Sequence, residues 1–273
     1  MKKLAILKQQ KREKNLEIIM EKFIQQIGKK AGEMLLKGFR FKDQIVRQRS
    51  TSKGVHTKYD LMVEKFLVGQ IKKRYPSHSI LGEELGQHLK EKKFFWIIDP
   101  LDGTSNFVNH NSFFSVSIAL LKNDQPYLSY IYAPFLREEY FAQRGKGAFR
   151  NKRRIRVSSI SNLEKAYLCF CEGGENNKKR MIKLFGQTYS ETKEVRKLGS
   201  AALECAWVAS GRNEGYFSTK ISPWDVAAGV LLVEEAGGQA TNFQGRKRQP
   251  IEDDFIASNG KIHKRLVNIL HHL

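Results

Sequence analysis

The sequence predicts a layered α+β protein, and three patterns carry that expectation. Apolar residues at Leu16, Met20, Phe23, Ile24, Ile27, Ala31 and Leu35 recur in the steps of an amphipathic helix. Between residues 94 and 142, short apolar runs with tight connections read as a meander, so this half joins helices to a largely antiparallel sheet. Beyond Asn151, strand-like and helix-like runs alternate. The expected division is residues 1–150 and residues 151–273, folded as one compact unit.

The elements follow in order. The first helix spans 16–39, and a polar loop covers 47–56. Thr57-Lys58-Tyr59-Asp60 has the form of a capping box and opens a second helix reaching about Arg74, where Tyr75-Pro76-Ser77 breaks it. Segments 79–81 and 94–98 read as short buried strands; 113–121, 127–134 and 139–142 complete the meander, and Gly145-Lys146-Gly147 is a turn. In the second half, 166–171, 195–198, 215–217 and 255–257 read as strands. Helices are expected at 176–185, 200–209 and 261–271. Another begins at Ser222-Pro223-Trp224-Asp225, with Ser as N-cap and Pro at the first position, and stops at Gly237-Gly238.

Hydrophobic residues make up 41% of the 273 positions, enough for a substantial core. No apolar run reaches the ~18 residues of a membrane helix, and the basic start lacks the apolar stretch of a signal peptide. A cytoplasmic protein is expected. Cys169 and Cys171 alternate on one strand face, and no His or second Cys pair accompanies them, so they read with Cys205 as buried small apolar residues. The formal net charge is +20, spread from the first fourteen residues through 72–74, 152–156, 178–180 and 246–248. Such a charge suits an anionic partner, either a small phosphate or a nucleic acid. There is no zinc-finger spacing, helix-turn-helix or aromatic-basic interleaving to favour the nucleic acid.

The chemistry concentrates in Trp96-Ile97-Ile98-Asp99-Pro100-Leu101-Asp102-Gly103-Thr104-Ser105-Asn106-Phe107. A buried strand is expected to end at Asp99, because Pro100 cannot donate to a sheet ladder. Asp102 follows, and Gly103-Thr104 can start a helix or a nest of N–H groups that receives phosphate oxygens. Further acids stand at other element ends: Glu83 and Glu84 after the 79–81 strand, Asp60 and Asp225 at helix starts. Each has an ordinary explanation as a cap or a solvated loop acid. Gathered together, they would repel strongly without cations among them. All-oxygen ligation with no His or Cys nearby favours Mg²⁺ over zinc.

These residues resemble the inositol monophosphatase family, relatives of fructose-1,6-bisphosphatase and the nucleotide bisphosphate phosphatases. The 96–107 segment matches that family's W-x-x-D-P-x-D-G-T-x-N-F. Trp224-Asp225-Val226-Ala227-Ala228-Gly229, followed by Glu235-Ala236-Gly237-Gly238, matches its second signature. Gly82-Glu83-Glu84 and Thr57-x-x-Asp60 match two shorter ones, and the resemblance covers nearly the whole chain. It implies the α-β-α-β-α sandwich of the sugar phosphatase fold. It also implies a lithium-sensitive enzyme that uses two or three Mg²⁺ ions to hydrolyse a small anionic phosphate ester, and a homodimer.

By the resemblance, Glu83, Asp99 and the Leu101 carbonyl would hold the first Mg²⁺, and Asp99, Asp102 and Asp225 a second. Glu83 would also reach a third. Asp60 and Thr104 would orient and deprotonate the attacking water, and the Gly103 and Thr104 amides would bind phosphate. Gly199, Ser200 and Ala201 match a segment that touches the substrate ring, beside Asp102 and Asp225. One position departs from the pattern. Animal-type members carry a Glu seven residues before the metal-binding Asp, and here that position is Ser218. Losing a carboxylate weakens polyol recognition and leaves room for another substrate, such as a sugar bisphosphate or a phosphorylated nucleotide. The haloacid-dehalogenase pattern D-x-D-G-T does not fit, because Asp99 and Asp102 are one residue too far apart. A different class of role, a nucleic-acid or protein-binding regulator on the same fold, would use the basic surface.

Overall fold

The computed structural model describes residues 2–40, 46–48, 55–172, 178–247 and 254–271. The tip of the expected polar loop at 49–54, Asn176 and Asn177 of the expected helix, Arg248, and the side chains of the first fourteen residues lie outside the described set.

The first half comprises α1 (Lys2–Arg40), a hairpin of β1 (Val46–Gln48) and β2 (Val55–Thr57), α2 (Lys58–Arg74), β3 (His78–Gly82), β4 (Gly86–His88) and β5 (Glu91–Asp102). There follow α3 (Thr104–Val108), β6 (Ser115–Lys122), β7 (Gln125–Ala133), β8 (Glu138–Gln143), β9 (Gly147–Arg150) and β10 (Arg153–Ile155). The second half comprises β11 (Tyr167–Glu172), α4 (Lys178–Glu191), β12 (Glu194–Arg196), α5 (Ala201–Ala209) and β13 (Gly215–Thr219). It closes with α6 (Pro223–Glu235), β14 (Gln239–Thr241), β15 (Phe255–Ser258) and α7 (His263–His271).

Eight strands in the order β10-β9-β8-β7-β6-β5-β3-β4 form the larger sheet. Within it only β3 and β5 run parallel. The smaller sheet has the order β12-β11-β13-β15-β14. It is mixed: β11 is parallel to β12 and β13, whereas β15 is antiparallel to β13 and β14.

Three apolar layers hold five structural ones. Ile24, Ile27 and Leu35 of α1 and Val63 and Leu67 of α2 pack on Trp96, Ile98, Ile118 and Tyr130 of the larger sheet. The opposite face, with Ile97, Ala119 and Ile131, packs on α5 and α6, which in turn meet Cys169, Tyr216 and Ala257 of the smaller sheet. Outermost, Met181 and Leu184 of α4 and Leu266 and Leu270 of α7 cover Leu168, Phe217 and Ile256. The result is the expected α-β-α-β-α sandwich. Helices α5 and α6 lie between two sheets, so their sequences are apolar nearly all round rather than striped. Their contact is close: a Cβ on Gly229 would sit 2.6 Å from Cys205 Cβ. Ser129 Oγ of β7 donates to the Ala228 carbonyl at 2.7 Å, tying α6 to the larger sheet.

Two expectations need correction. The 47–56 stretch is not simply a loop, since its described ends pair as β1 and β2, with Val46 opposite Thr57. The strand carrying Asp99 does not end there. It runs on to Asp102 through a bulge: Asp99 faces Ser117 and Asp102 faces Ser115, so Pro100 and Leu101 oppose the single residue Val116. Proline removes a ladder donor, and a bulge is where a strand tolerates that loss.

Candidate active site

Six segment ends converge. Local capping sets the starts of α2 and α6. Thr57 N-caps α2; Asp60 Oδ2 accepts the Thr57 N–H at 2.7 Å and the Thr57 hydroxyl at 2.6 Å. Asp225 does the same for α6, accepting the Ser222 N–H at 2.9 Å. These capping acids are therefore both structural and aimed at the site. The β5 bulge turns Asp99 and Asp102 toward Asp225, and an oxygen from each of the three carboxylates lies within 4.8 Å of the others. Asp99 and Asp102 are buried.

Such crowding has an electrostatic signature. Burial, then the charges of Glu83, Asp102 and Asp225, push the Asp99 carboxyl well above its usual range. Burial pushes Asp102 up to about 6, opposed by hydrogen bonds from Ser200, Ala202, Ala201 and Ser115. Glu83, in the turn after β3, is raised by burial and then by Asp225, Glu84, Asp60 and Asp102. All these shifts favour the neutral acids, and a cation among the carboxylates would reverse them. The donor set is oxygen alone, which fits a hard divalent ion.

Beside the acids, Thr104 opens α3. Its Oγ1 lies 3.1 Å from Asp60 Oδ1 and 2.9 Å from the Leu101 carbonyl oxygen, with one proton to give to either. Gly103 precedes it with φ +91°, a left-handed value; a Cβ there would come within 3.0 Å of the Phe113 carbonyl and 3.1 Å of the Gly199 carbonyl. The first amides of α3 have no carbonyl one turn back to accept them.

The expected substrate segment behaves differently. Ser200 Oγ donates to Asp102 Oδ2 at 2.5 Å, and the Ala201 and Ala202 amides donate to the same carboxylate at 3.0 and 2.9 Å. The start of α5 therefore clamps Asp102. Gly199, with φ +83°, packs against the Asn106 amide. Ser218 is fully buried in β13, and its hydroxyl donates to the Cys171 carbonyl of the neighbouring strand at 2.9 Å.

The sequence profile of the inositol monophosphatase family matches residues 19–273. The chain belongs to the inositol monophosphatase family. This is a family of phosphatases. Among its relatives, a Thermotoga maritima fructose-1,6-bisphosphatase/inositol-1-monophosphatase is 38% identical over 226 residues, covering 82% of this chain and 86% of that protein. The Escherichia coli Nus factor SuhB is 34% identical over 242 residues, covering 88% and 91%. Among solved structures, the extragenic suppressor protein SuhB from Bartonella henselae superposes with a TM-score of 0.88 at 31% identity, covering 92% of this chain and 98% of that one. A Thermotoga maritima inositol monophosphatase gives 0.83 at 36% identity, covering 90% and 94%.

In this member of the family, three neighbours of the site escaped the sequence reading. Glu64 is fully buried one turn after Asp60; it accepts the Glu84 and Leu85 amides, each at 2.8 Å. Glu204, also fully buried, accepts the Leu198 amide at 3.0 Å from within α5. Asn106 stands within the 96–107 motif. Its amide donates to the Phe113 and Leu198 carbonyls, each at 2.7 Å, and so joins the α3 corner to the loop before α5. The available signal for the two glutamates was an acid among apolar helix positions, beside Val63 and Leu203.

Proposed function

We propose that this protein is a Mg²⁺-dependent phosphatase that hydrolyses inositol monophosphate or a similar small phosphate monoester by direct attack of water. The observation that carries the reading is the Asp99, Asp102 and Asp225 trio, with carboxylate oxygens within 4.8 Å of one another. Glu83, Asp99 and the Leu101 carbonyl would hold one Mg²⁺, and Asp99, Asp102 and Asp225 a second, with Glu83 reaching a third. Bound there, Mg²⁺ would supply a water of lowered pKa and neutralise charge on the leaving oxygen.

The chain's own residues do the rest. Thr104 can pass its proton to Asp60 Oδ1, 3.1 Å away, while its oxygen accepts one from the attacking water. Burial raises the proton affinity of Asp60, which suits a base. The Gly103 and Thr104 amides would take phosphate oxygens. Ser200 and Ala201 act through Asp102, and Gly199 and Asp225 would contact the substrate.

Ser218 bears on the substrate. Its hydroxyl is spent on Cys171 inside the sheet and offers no carboxylate to a polyol. That supports widening the choice to fructose 1,6-bisphosphate, NADP or 3′-phosphoadenosine 5′-phosphate. The deciding experiment is phosphate release from inositol 1-phosphate and these three, with and without Mg²⁺ and with Asp99→Asn as blank. Mg²⁺-dependent release that the blank lacks supports the reading; no release from any of the four counts against it.

The net charge of +20, together with relatives named Nus factor SuhB, favours a second reading: a nucleic-acid or protein-binding regulator on the same fold. Nucleic-acid affinity that falls steeply with salt would support it, and no binding near physiological salt would remove it. We also propose a cytoplasmic homodimer; a monomeric mass in sedimentation would overturn the dimer. Among the described residues, no helix is long and apolar enough to cross a membrane.

A further inference from the structure

We propose that Glu64 is a positioning residue: from the middle of α2 it fixes the backbone of the Glu83 turn, and so sets how tightly the acid cluster takes a divalent cation. The inference rests on the metal-centre reading above and deepens it.

The geometry is specific. Glu64 is 0% exposed and lies one helical turn after Asp60, on the face that carries Val63 and Leu67 into the core. Both its oxygens are engaged with consecutive peptides: Oε2 accepts the Glu84 N–H and Oε1 the Leu85 N–H, each at 2.8 Å. Those two peptides directly follow Glu83. Among the described residues no Lys or Arg pairs with Glu64, so its bonds to this turn are its strong interactions. On the other side of Glu83, Gly82 pairs with Ile98 in β5, and a Cβ on Gly82 would overlap Glu64 Oε1. The turn is thus held between a strand that leads to Asp99 and a carboxylate that leads to Asp60.

Two converging N–H donors need two acceptors on one planar group, which a carboxylate presents and an amide does not. A glutamine would accept one N–H and turn its own NH₂ against the other. Burying a carboxylate beside Glu84 and Asp60 is costly, and a purely mechanical staple has cheaper solutions. The arrangement makes sense if one rigid helix must hold the Thr104 partner Asp60 and the ligand candidate Glu83 in a fixed relation. Outer partners that orient ligands in this way change metal affinity when removed.

The test is a Mg²⁺ titration of the whole chain, read by calorimetry and by the rise in Tm, for wild type, Glu64→Gln, Gly82→Ala, the double variant and Leu67→Ala. The expected result is a weakening of Mg²⁺ binding by about 10–100-fold in Glu64→Gln. Gly82→Ala should weaken it in the same direction, with a double variant little worse than the poorer single one. Leu67→Ala, a packing change on the same helix, should lower Tm and leave the Mg²⁺ midpoint in place. If Glu64→Gln does not fold, Gly82→Ala decides in its place. A folded Glu64→Gln or Gly82→Ala with a midpoint within about twofold of wild type overturns the inference while leaving the metal centre standing. An equal shift in Leu67→Ala also overturns it, by showing general loosening. A wild type that binds no Mg²⁺ overturns the metal-centre reading and the inference with it.

Discussion

Ser200 donates its hydroxyl to Asp102 Oδ2 at 2.5 Å, across 98 positions of sequence. The bond joins the start of α5 to the β5 bulge, and so ties the second half of the chain to the acids of the first. Removing it leaves a buried carboxylate short of one donor. Ser200→Ala should cost about 1–3 kcal/mol of stability. It should also make Asp102 easier to protonate, so that Mg²⁺ binding weakens more at pH 6 than at pH 8. Urea unfolding and Mg²⁺ titrations at the two pH values check both; equal weakening at each would sink the second part.

The cluster predicts a pH dependence of the metal-free protein. Asp102 moves from 3.8 to about 6 on folding. Between these values the folded chain binds more protons than the unfolded one, so its stability falls as pH rises through that window. Asp99 and Glu83 shift the same way, so they add to the fall. With a chelator present, Tm should therefore drop between about pH 4 and 6, and saturating Mg²⁺ should remove most of the drop. Thermal melts under the two conditions give the answer. Parallel curves would show that these acids do not repel as described.

Asp99→Asn separates chemistry from folding. It removes one charge from a buried cluster whose members raise each other's proton affinity. In chelator its Tm should match or exceed that of wild type. Turnover should fall by more than the ~10–100-fold typical of a lost outer partner, since the variant loses a ligand itself. Activity near the wild-type rate would refute the proposed metal arrangement.

Gly229→Ala tests the middle layer. The new Cβ would meet Cys205 Cβ at 2.6 Å and Sγ at 2.7 Å, between two helices that cannot separate without leaving a sheet. A loss of about 1–3 kcal/mol in urea unfolding is expected. An unchanged midpoint would mean that α5 and α6 can move apart freely, and with them Ser200 and Asp225.

Lithium offers an independent probe of the cation sites. By family resemblance, millimolar Li⁺ should inhibit, and added Mg²⁺ should shift the inhibition if the two ions compete. Turnover indifferent to Li⁺ would mean that the Asp99, Asp102 and Asp225 site differs from the pattern its motifs suggest.

Much of this protein was legible locally. Period and capping predicted α2 and α6 closely, with Asp60 and Asp225 as their first-turn acids, because those signals act within a single helical turn. The candidate acids could be named from the sequence for the same reason: each stands beside a cap, a strand end or a glycine turn. The short strands β4, β9, β10 and β14 were not anticipated, since three or four residues carry too little pattern to separate a strand from a turn. Nor was the bulge at Pro100, which depends on the Ser115 to Ser117 register of the neighbouring strand. Only the tertiary structure assigned Glu64 to the Glu83 turn, Glu204 to the loop before α5, and Ser200 to Asp102. It also turned Ser218 into the sheet rather than toward a ligand. For Glu64 and Ser200 the partner is a backbone or carboxyl group 20 or more positions away, brought near by packing; for Ser218 it is the neighbouring strand of the same sheet, and for Glu204 a loop six residues back, and no simple spacing rule names any of them.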